Sequence, residues 1–293
     1  MFVAALPWYD YVELRPHNDA WWAGIARHLR RLGLENLPAE LLRSSDPTID
    51  FSRPELLLSH ACGYDVLYDH ADTIVPVATP CYLAEGCEGP RYRSYVVVRA
   101  ERPWRSFAEL RGMRMAINQA TSHSGTNAMR PQAASLQQDG AFFGDVVETG
   151  SHGASLRALQ AGDVDAACVD AVVLALLRRV RPGAVARLRP MACTCTALAP
   201  PYVTSRQTPP ETVKVLREAL LAAARDPGLA ATRAALLLHD FVVFPPESYA
   251  ELEEFEAPAM AAGYHELPAP ARSPLTTDQL HARAQTGPRG GRA

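Results

Sequence analysis

From Met113 to Val180 the chain alternates strand-type and helix-type segments without interruption. "MRMAIN" and "DVVETGSH" are short β-type runs, "GASLRALQAG" repeats apolar residues at helical spacing, "DVDAACVD" reads as a buried strand and "AVVLALLRRV" as a helix halted before Pro182. Strands joined through helices must pair by crossover, so this order constrains the fold more than any other feature and predicts an α/β protein with mainly parallel sheets and flanking helices. The pattern extends upstream. "FVAAL" is β-type, and Trp21, Trp22, Ile25, Leu29 and Leu32 form a helical stripe that stops at Gly33. "ELLLSHACGY", "TIVPVATPCYL" and "YRSYVVVRAE" supply further strands, and "SFAELRG" a short helix ended at Gly112. The 293 residues suffice for two lobes, each with its own core, and a cleft between them.

The last third changes character. "PPETVKVLREALLAAARDPGLAATRAALLLHD" reads as helix-rich, and "SYAELEEFEAPAMAAGY" as a further helical stretch broken at Pro258. From about Pro268 no apolar period remains, and residues 266–293 are expected to form a flexible tail.

A run of small hydroxyls, Thr121, Ser122, Ser124 and Thr126 with Gly125 among them, directly follows "MRMAIN". A loop of small residues between a strand and a helix start leaves backbone N–H groups pointing outward at the positive end of the helix dipole, a setting that attracts anions. Ser122 and Ser124 add hydroxyl donors, Gly125 is expected to admit a ligand close to the backbone, and Thr126 and Asn127 to donate or orient. The competing reading is that Ser122 or Ser124 caps the next helix. No Lys follows the glycine, which argues against a nucleotide triphosphatase loop. Pro131 implies that the following helix is short or restarts there.

Other residues sit where strands end. His152 and Ser151 stand at a strand-to-helix junction, as a ligand contact or as surface and cap. Asp170 ends an apolar strand, either as an N-cap or as an acceptor for a ligand amine or hydroxyl. Trp8, Tyr9, Tyr64, Tyr92 and Tyr95 are aromatics beside turns, for packing or for contact with ligand. Ser122, His152 and Asp170 can be drawn as a triad, but spacing does not establish its geometry. The chain has no nucleophile-elbow or H-E-x-x-H motif, so neither catalytic residues nor a metal or cofactor is expected.

Composition removes other classes. A net charge of −3 and short arginine clusters such as Arg178, Arg179 and Arg181 exclude nucleic acid as a partner, and no window approaches the roughly 18 apolar residues of a membrane helix. A monomer is expected. Six cysteines are too sparse for a disulfide scaffold and read as free thiols, with a bridge from Cys87 to Cys62 or Cys81 as the alternative. The first residues lack a basic leader, so the location is read as cytoplasmic unless a leader was removed, in which case it is periplasmic.

"SFAELRGMRMAIN", "SHSG" and "VVETGSHGASLRALQAGDVDAACVDAVV" together resemble the phosphate/phosphonate-binding branch of the type 2 periplasmic substrate-binding proteins. The resemblance covers about residues 1–265 and is strongest from Tyr92 to Val173. It implies a two-lobed type 2 periplasmic-binding-protein fold closing on ligand, with lobe one at 1–95 plus 203–265 and lobe two at 96–202. It places Ser122, His123 and Ser124 on a small anionic ligand, with His152, Asp170, Tyr64 and Tyr95 or Tyr92 around it, and implies an ABC transporter permease as partner. An enzyme on the same scaffold and a sensory ligand-binding module are the alternatives.

Overall fold

The computed structural model describes residues 2–44, 46–264 and 267, so the expected tail, Leu267 apart, lies outside the described residues. Two five-stranded sheets organise the chain. The first runs β1 (Val3–Ala4), β2 (Leu56–His60), β11 (Tyr202–Ser205), β3 (Ile74–Tyr82), β12 (Leu238–Val242) in spatial order. The second runs β7 (Asp145–Glu148), β6 (Arg114–Ile117), β8 (Ala166–Asp170), β5 (Ser94–Arg99), β9 (Leu188–Cys193). Where the chain passes between sheets, β4 (Arg91–Tyr92) pairs antiparallel with β10 (Ala197–Leu198) as a separate two-stranded ribbon.

The sheets are mixed, not mainly parallel. Pairs β1–β2, β6–β7 and β6–β8 are parallel, whereas β11 runs against both β2 and β3, β12 against β3, and β5 against both β8 and β9. The route of the chain is the reason. β5 and β11 are the first five-stranded-sheet strands after each crossing, and each enters the interior of its new sheet pointing against its neighbours.

In the first lobe, helix α1 (Arg15–Arg31) follows the sequence stripe, with Trp21, Trp22, Ile25 and Leu29 buried against Leu57, Val77 and α5 (Pro210–Arg225). Trp21 stacks on Phe241 of β12, with ring centroids 6.3 Å apart, and its Nε1–H donates to the Tyr202 hydroxyl of β11 at 3.2 Å. The strand β12 lies in a segment expected to be helix-rich. After α6 (Ala230–Ala235), Leu237 turns the chain at φ 57° and Leu238–Val242 pairs along the edge of β3. Pairing with an existing edge outweighs the helix propensity of an Ala/Leu run.

In the second lobe the "VVV" of β5 is buried on both faces. Val96 and Val98 join Met115, Ile117, Phe107, Phe142 and Phe143, while Val97 joins Ala116, Leu156, Leu159 and Val169. Helix α3 (His152–Ala161) ends at Gly162 in the left-handed region, as its sequence implies. Helix α4 (Ala171–Val180) divides its apolar residues: Val172 and Leu176 enter the first lobe's core, whereas Val173, Leu174 and Leu177 stay with the second.

The last helix, α7 (Glu253–Ala261), contains Pro258 and follows β12 in sequence, yet it packs on α2 (Arg130–Leu136) of the second lobe. Just before it, Glu251 accepts from Arg91 Nη1 at 3.0 Å and from the Leu198 N–H at 2.6 Å, joining both ribbon strands. All six cysteines are free, Cys195 being exposed. No helix among the described residues is long and apolar enough to cross a membrane.

Because Trp21 joins α1 to two strands of the first sheet, Trp21→Ala should lower stability by about 3–5 kcal/mol. Urea unfolding followed by far-UV circular dichroism checks this.

Candidate functional site

The hydroxyl loop leaves β6 at Ile117 and folds back on itself. Ser122 Oγ accepts the Gly125 N–H at 3.2 Å, the Asn127 N–H goes to the Ser122 carbonyl at 3.1 Å, and the Ala128 N–H goes to the His123 carbonyl at 2.8 Å. Thr126 Oγ1 donates to the Gln119 carbonyl at 2.7 Å. Part of the loop backbone is thus engaged within the loop, while the Thr121, Ser124 and Thr126 N–H groups have no hydrogen-bond partner among the described residues. The helix start is also modest. A 3-10 turn at Asn127–Met129 leads into α2, with Pro131 in its first turn, as the proline implied. No serine caps that turn through its side chain.

What the loop presents is a side-chain node. Ser124 Oγ lies 2.9 Å from His152 Nε2 and 3.4 Å from Ser122 Oγ, with the buried Tyr92 side chain beside it. His152 opens α3, capped not by itself but by Ser151, whose Oγ accepts the Ala154 N–H. Its Nδ1 is buried and has no partner among the described residues. Burial lowers its pKa to about 4, so near neutral pH the ring is uncharged and donates from one nitrogen only.

Asp170 fulfils the N-cap reading and also holds a tyrosine of the chain itself. One oxygen, Oδ1, accepts the N–H groups of Val172 and Val173 at the start of α4, at 2.6 and 3.3 Å. The other, Oδ2, accepts the Tyr9 hydroxyl at 2.8 Å. Tyr9 belongs to the loop after β1, so this bond spans the lobes. Its backbone sits at φ 66°, a conformation that costs a residue with a side chain and that persists only where the surroundings enforce it. The enforcing contacts are edge-on rings of His60 and Tyr82, 5.6 and 5.5 Å away. Burial pushes the Asp170 carboxyl up to about 6, against the downward pull of Tyr9 and the two amides.

His123 is packed among aromatic rings. Its ring is 2 % exposed, edge-on to Phe255 at 4.9 Å, and flanked by Tyr64 and Tyr92 at 6.4 and 6.2 Å. Asn127 Nδ2 approaches its Nδ1 at 3.3 Å and also donates to the Leu252 carbonyl. Burial lowers its pKa to about 3. It is a neutral pillar under the loop, clamped by the segment leading into α7.

The remaining sequence candidates divide. Tyr92 is buried beside Ser124, and Tyr64 is buried beside His123 with its hydroxyl unpartnered among the described residues. Tyr95 alternates to the other face of β5 from Ser94, packs with the Val97 cluster and has its hydroxyl over Gly86, away from the node. Trp8 is half-buried and makes no hydrogen bond or ring contact with the node among the described residues. At Gly125 a Cβ would meet Asn118 Oδ1 at 1.7 Å, so the glycine makes room for that neighbouring side chain. No triad forms. Asp170 bonds Tyr9 and α4, not His152.

Sequence reasoning missed His60, Tyr82, Ser94, Asn118 and Phe255. Ser94, 1 % exposed, pairs opposite Asp170, and its hydroxyl is unpartnered among the described residues. Position at strand ends was the available signal for His60, Tyr82 and Ser94. For Phe255 there was none, because its contact with His123 spans 132 residues of chain. Among the described residues no Lys or Arg side chain hydrogen-bonds Tyr9, Tyr92, Ser122, Ser124, His152 or Asp170.

The chain as a whole is similar to known proteins. A family model described as "ABC transporter, phosphonate, periplasmic substrate-binding protein" matches residues 56–249. No curated protein matches the sequence. Among solved structures, PhnD1 of Prochlorococcus marinus in complex with methylphosphonate is similar with a TM-score of 0.70 at 13% identity, covering 87% of this chain and 97% of its own. A binding protein component of an ABC phosphonate transporter from Pseudomonas aeruginosa gives 0.70 at 13%, covering 96% and 92%. A Xanthomonas citri protein bound to ATP gives 0.64 at 17%, covering 90% and 98%.

Two outcomes follow from the geometry. Gly125→Ala should cost about 1–3 kcal/mol by displacing Asn118, and Asn118→Ala in the same chain should recover most of it in chemical denaturation. Asp170 has a folded-state pKa raised from 3.8 to about 6, so its contribution favours folding below pH 4 and is lost as pH rises through 6. Asp170→Asn should therefore stabilise the protein by about 1–3 kcal/mol at pH 7 to 8 and change little at pH 4, as read from unfolding midpoints across that range.

Proposed function

The chain belongs to the phosphonate-binding family of periplasmic substrate-binding proteins of ABC transporters, and we propose that it captures a small phosphonate-type oxyanion between its lobes and delivers it to a permease outside the cytoplasm. The observation that carries the reading is the Ser124 node, with Ser122, His152 and Tyr92 gathered around one hydroxyl from separate elements of the fold. Micromolar capture requires about 8 kcal/mol, and a hydrogen bond to a charged acceptor contributes about 1.5–3 kcal/mol. Three to five donors are enough. Ser122, Ser124, His152, Tyr92 and Tyr64 supply that number, and closure over them excludes water and strengthens each bond.

The donors are neutral and the nearest charge is the carboxylate of Asp170. Such a set favours an oxyanion that retains a proton, or a ligand that also carries an ammonium group, because either can donate to Asp170 where a dianion is repelled. Transfer chemistry is not part of the proposal, since Asp170 is held by Tyr9 and the start of α4 and does not orient the His152 imidazole.

Thermal-shift measurements with phosphate, phosphite, methylphosphonate and 2-aminoethylphosphonate test the class, and calorimetry gives affinity. Ser122→Ala with Ser124→Ala should weaken the tightest ligand at least about tenfold, equivalent to about 1.4 kcal/mol, while lowering the melting temperature only slightly. Undiminished affinity in the double variant would remove the node from the site.

A further inference from the structure

We infer that Arg178, Arg179 and Arg181, at the end of α4 remote from the hydroxyl node, are positioning residues for capture: they hold this helix, and with it the Asp170 carboxylate at its start, against the first lobe. Ten residues of helix separate the two ends by about 15 Å, so none of the three reaches the node. Basic residues at a helix C-terminus are ordinarily explained by the dipole alone. Here each has a separate target in the first lobe. Arg178 Nη1 lies 3.2 Å from Glu85 Oε2, between β3 and β4. Arg179 Nη1 donates to the Ala234 carbonyl at the end of α6 at 2.9 Å. Arg181 Nε donates to Glu13 Oε1 at 2.7 Å, and its guanidinium stands 5.4 Å over the Tyr11 ring.

The helix between these contacts is built for two sides. Val172 and Leu176 are fully buried in the first lobe's core cluster, together with Leu236 and Leu237 beside the Arg179 contact. At the other end Tyr9 reaches Asp170 from the same lobe. Parting the lobes along this helix therefore breaks the three arginine contacts and the Tyr9 bond and uncovers Val172 and Leu176. The arginines are about 40 % exposed where they pair with Glu85 and Glu13, so each pair is screened by salt and shifts an equilibrium only about two- to fivefold. Acting on one helix, they shift it together.

The inference takes its effect on ligand from the capture reading, but its geometry is independent of it, and the test separates the two. Small-angle X-ray scattering on the ligand-free full chain reads lobe separation directly. Wild type should expand as salt rises from about 0.05 to about 1 M, Arg178→Glu with Arg181→Glu should be expanded at low salt, and adding Glu13→Arg with Glu85→Arg should restore compactness. Calorimetry with methylphosphonate should show affinity about three- to tenfold weaker in the reversed variant and recovered in the swapped one. Scattering that is unchanged by salt and by charge reversal would overturn the inference, and so would expansion that the swap leaves unrepaired with circular dichroism unaltered. If scattering responds as expected while wild type itself ignores methylphosphonate, the arginine contacts stand and the choice of ligand falls. Should the reversed variant fail to fold, the salt series on wild type decides by itself.

Discussion

The chain crosses between its two sheets along neighbouring paths, and the two crossing segments are hydrogen-bonded to each other as β4 and β10. Much else depends on that ribbon. It delivers β5 and β11 into the middle of each sheet in the reversed sense, which is why both sheets are mixed. It also brings Tyr92, itself a ribbon residue, beside Ser124, and carries the chain directly into Ser94, opposite Asp170. The residues of the node come from widely separated sequence positions because the ribbon gathers strand ends of both lobes in one place.

The electrostatics around the node are set by burial. His60, His123 and His152 are all held neutral by burial, and the carboxyl of Asp170 is pushed towards neutrality by the same cause. Hydroxyls and neutral imidazoles can each donate or accept, so under the capture proposal above such a set would distinguish ligands by where their protons lie more than by total charge.

Much of the architecture was legible in the sequence because it is written in local period. The α1 stripe, the "VVV" strand and the Gly162 stop are short-range patterns, and the structure follows them. The hydroxyl loop, Asp170 and His152 were found because they stand at strand ends, where backbone donors and clefts both occur. What failed was non-local. The strand β12 was hidden by helix-favouring Ala and Leu around it, and the sense of strand pairing depends on the path of the crossings. Whether Tyr92 or Tyr95 faces the node is a matter of one position in a pleat. The role of Gly125 required knowing that Asn118 lies 1.7 Å from where its Cβ would be, and the burial of His123 required Phe255 from the far end of the chain.

The C-terminal segment adds a third span to the two strands of the ribbon, anchored on them through Glu251 and then laid along α2 by α7. Two adjacent tethers permit both bending and torsion of one body against the other. A third, displaced from their axis, opposes torsion and leaves bending as the softer mode. The lobes are thereby restricted towards a single degree of freedom, and each cycle of opening can return Tyr9 and Asp170 to the same registration.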